Sequence, residues 1–228
     1  MYRRPDVPGV ELKLPPVLES WNARDHPDQL RLDAFLNEVE DALALSDAEA
    51  NLALELQVGL PQSRPLMSGG GDLDNYLFPI ARRFGAERFD AVFGTKRHGA
   101  ASTLAVTQAR SIAAHRNPDM VARTTASAST RAWKQQVRDV CAMAVPVEPI
   151  PGAIGIDIDF RLNPARNWST VWKPAIDSLG PLLGVPNSQR PFTPNDDRIV
   201  RLGLHRSLDV SVGWDIVLSL WWTAASSE

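Results

Sequence analysis

The chain has a single cysteine, Cys141, among 228 residues, which excludes an intrachain disulfide and a cysteine-based zinc site. It has no long apolar run. The longest, residues 142–147 and 216–223, fall well short of the roughly 20 residues needed to cross a bilayer. Met1-Tyr2-Arg3-Arg4 leads into Pro5-Asp6-Val7-Pro8 and not into an apolar secretory segment, so a cytoplasmic protein is the expectation. No excess of basic charge is present either. The 24 Lys and Arg against 27 Asp and Glu leave a net charge of -3, so any contact with nucleic acid must be confined to one face. The four histidines, His26, His98, His115 and His205, show no paired ligand spacing. With 44% hydrophobic and 22% charged residues, disordered and collagen-like chains are excluded.

What is present is an order of events that occurs twice. Residues 51–85 open with alternating Leu52, Leu54, Leu56 and Val58; residues 153–184 open with Ile154, Ile156, Ile158 and Phe160. Period-two alternation predicts a half-buried strand in each. Each run continues through a Pro-containing loop into a helical pattern, Leu73/Leu77/Ile80/Phe84 and Trp168/Trp172/Ile176/Leu179/Leu183, with Pro79 and Pro174 early in the helices. Gly85 and Gly184 supply the residue type favoured just past a helix end. An amphipathic helix precedes each unit, at 28–45 and 129–143, and two strand-like runs follow each, 88–96 with 102–108 and 197–205 with 210–223. Setting residues 89–93 over 196–200 places His98 over His205 without a gap. The expectation is an α/β (α+β) fold of two tandem β-α-β-α-β-β repeats, 1–112 and 113–228, packed as an intramolecular pseudodimer.

The sharpest local feature is Gly69-Gly70-Gly71-Asp72-Leu73-Asp74-Asn75 at a loop-to-helix junction. Asp and Asn are favoured helix caps, so capping alone is one explanation. A single cap needs only one side chain, however, and two converging carboxylates suit Mg²⁺ or Mn²⁺. Asp90, at the start of the next strand, is the expected third ligand. The glycine run is not followed by Gly-Lys-Ser/Thr, which argues against a nucleotide phosphate loop.

These residues resemble RusA-type Holliday junction resolvases, whose helix motif is D-x-D-N-x-x-K-x-x-x-D-A-L followed by an acidic pair leading into a strand. Asp72-Leu73-Asp74-Asn75 stands at the DxDN and Asp90 at the last carboxylate, while Phe78 replaces the lysine. The second copy is the reverse: Asn167, Ser169 and Thr170 replace DxDN, whereas Lys173, Asp177 and Asp196-Asp197 match the lysine, the helix aspartate and the acidic pair. The family's opening segment is echoed by Leu14-Pro15-Pro16 through Trp21-Asn22.

The resemblance implies a Mg²⁺-dependent structure-selective endodeoxyribonuclease acting on branched DNA, as a monomeric pseudodimer or a homodimer. One metal site at Asp72, Asp74 and Asp90 is expected, with Lys173 as a catalytic candidate if it reaches across the pseudo-twofold. Lys96, Arg97, Arg166 and Arg198 are the candidate phosphate contacts. Because each copy lacks part of the motif, a non-catalytic descendant that binds branched DNA or a protein remains the alternative expectation.

Overall fold

The computed structural model describes residues 1–20, 22–46, 48–67, 71–145 and 148–225. Gly69 and Gly70 of the glycine run, Trp21 of the opening segment and residues 146–147 of the first apolar stretch lie outside them. In chain order the elements are β1 (Val10–Leu12), α1 (Pro27–Leu43), β2 (Leu52–Leu60), α2 (Leu73–Phe84), β3 (Phe89–His98) and β4 (Ser102–Gln108). There follow β5 (Met120–Thr124), α3 (Arg131–Ala144), β6 (Ile154–Leu162), α4 (Trp172–Asp177), α5 (Gly180–Leu183), β7 (Ile199–Leu208) and β8 (Ile216–Ala224). No helix among the described residues is long and apolar enough to cross a membrane.

All eight strands join one mixed sheet in the order β1-β4-β2-β3-β7-β6-β8-β5. In each half the outermost strand pairs antiparallel with the last, the last pairs antiparallel with the alternating strand, and that strand pairs parallel with its neighbour. The halves meet where β3 and β7 run antiparallel, Ala91 opposite His205 and Thr95 opposite Arg201. Even the irregularity recurs: Leu52 pairs with Phe89 just before one register shift and Ile154 with Ile199 just before the other. In strand register Phe89 takes the same place as Ile199, three residues beyond the gapless match of 89–93 with 196–200, and Ala86, three residues before it, the same place as Asp196.

Alternation in β2 and β6 sends Leu54, Leu56, Ile156 and Ile158 into one core shared with the buried faces of α1, α2 and α3. The opposite face is polar, apart from a small patch of Ala53, Ala91 and Phe93. There the N-terminal segment sends the partly buried Arg4 to Glu55 at 2.9 Å, Thr95 at 3.1 Å and the Leu202 carbonyl at 2.9 Å, tying β2, β3 and β7 together.

The second helical pattern is broken into a 3-10 turn, Trp168–Val171, then α4 and α5. Pro181 lacks an N–H and Gly180 weakens the helix between them. β5 stands where the second β-α-β-α-β-β unit opens, although the sequence pattern assigned no residues to that strand.

At Gly94 on β3 an added Cβ would lie 3.1 Å from Leu77 Cδ1 and 3.2 Å from Leu73 Cδ2, so α2 sits on the strand without a side chain between them. Gly94→Val is expected to cost about 1–3 kcal/mol by overpacking. An unchanged denaturation midpoint would show that α2 is not held there.

Candidate metal centre

The direction of each element decides which side chains meet. α2 runs back along the sheet, so its first turn lies where β3 ends, and because β7 is antiparallel to β3, β7 begins at that same end. α4 lies beside α2, and the 3-10 turn Asp196–Arg198 leads into β7. Three carboxylates thereby converge, Asp72 and Asp74 from the first half and Asp196 from the second, each offering an oxygen within 4.8 Å of the others.

Asp72 occupies the N-cap position of α2, yet its side chain makes no capping hydrogen bond and instead accepts from Asn75 Nδ2 at 2.9 Å. Gly71 enters this turn with φ +78°, where a Cβ would also meet the Tyr76 hydroxyl at 2.9 Å and Leu18 at 3.0 Å. Asp74 is buried, 3% exposed. Burial, with Asp196, Asp72 and Asp177 adding to it against the opposing pull of Lys173, pushes its carboxyl up to about 7. Burial and Asp72 likewise push Asp196 up to about 6, again partly countered by Lys173.

Lys173 reaches across the junction. Its ammonium lies 3.4 Å from Asp196, 3.5 Å from Asp177 and 3.7 Å from Asp74. Burial alone would lower the Lys173 pKa, but Asp74, Asp196, Asp177 and Asp72 together raise it above the ordinary lysine value. Asp177 is shared with Lys134 at 2.6 Å.

Asp90 is not part of this cluster. The ten residues of α2 beyond Asp74 carry the chain about 15 Å along the helix axis before β3 begins. Asp90 accepts from Arg206 at 2.6 Å and from Asn51 at 3.0 Å at the far end of the strand. Asp196 occupies the third place instead.

The basic candidates separate by role. Lys96 is 3% exposed and donates to the carbonyls of Gly71 and Asp197, so it staples the two backbone segments that present Asp72 and Asp196. Burial lowers its pKa to about 8, with Asp197, Asp72 and Asp196 opposing the shift. Arg198 donates to the carbonyls of Ile150, Gly152 and Leu183 and holds a loop. Arg166 donates to the Trp214 carbonyl and lies 5.6 Å from that ring centroid, while Arg97 is exposed beyond Lys96.

Two cavities flank the carboxylates. One of about 410 Å³ is lined by Asp72, Asp196, Asp197 and Arg64; the other, about 250 Å³, has Asp74, Phe78, Trp172 and Lys173 on its walls. The chain segment at Leu18 and Glu19 borders both, anchored where Glu19 N–H donates to the Asn75 carbonyl at 3.0 Å.

No protein-family model matches the chain, and no curated protein matches it. What the centre can do is therefore read from its own side chains. Hard carboxylate oxygens no more than 4.8 Å apart fit around one ion with ligand distances of about 2.0–2.6 Å. The raised carboxyls of Asp74 and Asp196 mark negative charge that a divalent cation would stabilise. The donor set fits Mg²⁺ or Mn²⁺.

Asp177 and Asp196 carried a signal in the sequence, since both match the family motif in the second copy. What hid their role was the expectation that all three ligands, Asp72, Asp74 and Asp90, would come from the first half. Lys96→Met is expected to weaken Mn²⁺ binding about 10–100-fold, as loss of a supporting contact does at metal sites, measured by Mn²⁺ titration. Undiminished affinity would remove the staple from the account.

Proposed function

We propose that the protein is a divalent-cation-dependent endonuclease for branched DNA, built as two diverged copies of one β-α-β-α-β-β unit that share a single centre. One observation carries this: the motif pieces that each copy lacks are supplied by the other, with Lys173 of the second half 3.7 Å from Asp74 of the first. The matching strand pairings of the two halves support the duplication.

In this reading Asp72, Asp74 and Asp196 would hold the cation. A bound Mg²⁺ or Mn²⁺ would polarise the scissile phosphodiester and make water a better nucleophile. Lys173, half-exposed beside the carboxylates, offsets charge on the phosphate oxygens, and Lys96 keeps the two ligand-bearing turns in register. Arg97 and Arg64 stand at the same end of the sheet, where a DNA backbone would pass. A cytoplasmic location is part of this proposal. The missing lysine at Phe78 was a motive for the non-catalytic alternative, and it weakens once Lys173 fills that place.

The test is incubation of labelled four-way and three-way DNA junctions with the protein, with and without Mg²⁺ or Mn²⁺. Cation-dependent cleavage near the branch is expected. Binding with no cleavage on any branched substrate would instead favour the non-catalytic alternative.

A further inference from the structure

The pairing that equates Phe89 with Ile199 also locates the position that would mirror the acidic cluster. Its residues are Asn167 and Ser169 at the start of the second helical stretch, Phe78 where Lys173 stands in the other half, and Ala86 where Asp196 stands. None is a carboxylate. Asn167 is turned onto its own chain, accepting from Ser169 N at 3.1 Å and Ser169 Oγ at 2.8 Å. Trp168, 1% exposed, closes the space: its indole N–H donates to the Ala86 carbonyl at 2.7 Å, and its ring packs edge-on to Trp172 at 4.7 Å. Phe78 completes the apolar wall, edge-on to Trp172 at 6.3 Å. Arg206, which takes the place of Lys96 in strand register, pairs with Asp90 at 2.6 Å. Among the described residues the single acidic group able to share an ion is Asp72, Asp74 and Asp196.

We infer that the protein makes one incision per binding event and is a nicking enzyme for branched DNA, not one that makes paired cuts. This rests on the nuclease reading above. A two-copy frame can grip both sides of a branch, but only one side carries hydrolytic groups. In each event a water oxygen bonds to the scissile phosphorus as the bond from phosphorus to one deoxyribose oxygen breaks. The electron pair leaves on that oxygen, which takes up a proton, so the products are one phosphomonoester and one hydroxyl. A second cut requires release and rebinding in the other orientation.

The test uses a supercoiled plasmid that extrudes a cruciform, with Mn²⁺ and a challenge of excess unlabelled junction added once the protein is bound. Nicked circles are expected to accumulate, with linear product lost under the challenge. In parallel, equilibrium dialysis of Mn²⁺ is expected to show all tight binding lost in Asp74→Asn and again in Asp196→Asn. Linear product that persists under challenge, or half of the Mn²⁺ retained by either variant, would overturn the single-centre inference while leaving the nuclease reading intact. Mn²⁺ binding by the wild type with no cleavage of any branched DNA would sink the nuclease reading, and this inference with it.

Discussion

Asp196→Asn is expected to abolish cation-dependent cleavage as completely as Asp74→Asn, although the two residues lie in different halves of the chain. The reason is geometric. Their carboxylate oxygens and that of Asp72 lie within 4.8 Å of one another, so each could be one of three donors to a single ion, and the described residues hold no second such acidic group. Supporting groups around metal sites already cost about 10–100-fold when removed, and a direct donor should cost at least that. Asp90→Asn, by contrast, removes a partner of Arg206 and Asn51 and is expected to affect stability more than cleavage. The assay is single-turnover cleavage of a labelled junction with each variant saturating. Equal activity of Asp196→Asn and the unsubstituted protein would remove the second half from the centre.

The opposite sign is expected for the stability of the metal-free protein. Asp74→Asn should raise it at pH 8, because burial and neighbouring carboxylates push Asp74 up to about 7 against an ordinary value of 3.8. Between those two pH values the folded state holds a proton that the unfolded chain has released. The stability this group contributes is thus greatest below about pH 4 and is lost as pH rises through about 7. At about 1.4 kcal/mol per pH unit of separation, and allowing for the lost contact with Lys173, the substitution should gain on the order of 2 kcal/mol, or roughly 4–8 °C in midpoint. Mg²⁺ or Mn²⁺ should stabilise the unsubstituted protein increasingly as pH rises from 6 to 8 and leave Asp74→Asn unaffected. Thermal melts across that range check both statements, and a lower midpoint for metal-free Asp74→Asn at pH 8 would contradict the first.

Much of the fold was legible because its signals are local. Alternation in Leu52–Leu60 and in Ile154–Leu162 reports a strand within nine residues in each case, and Gly85 marks the end of α2. The residues of β5 escaped because Met120–Thr124 is five residues long and only three of them are buried. The second helix looked continuous because its apolar spacing persists across Gly180 and Pro181, which break it. Asp72 and Asp74 were legible from one turn of sequence. Asp196 stood in the motif, but its position beside them was not legible, since it depends on β3 and β7 pairing antiparallel in the middle of the sheet, a contact between residues more than a hundred positions apart. Expecting Asp90 reflected the same gap: following the chain through α2 leads to the wrong end of the strand.

A crystal structure of the protein grown with Mn²⁺ tests the shared centre most directly, through the anomalous signal of the ion. The account predicts one strong peak about 2.0–2.6 Å from oxygens of Asp72, Asp74 and Asp196, with Lys173 alongside. No peak at that place, or an ion held by residues of one half alone, would contradict it.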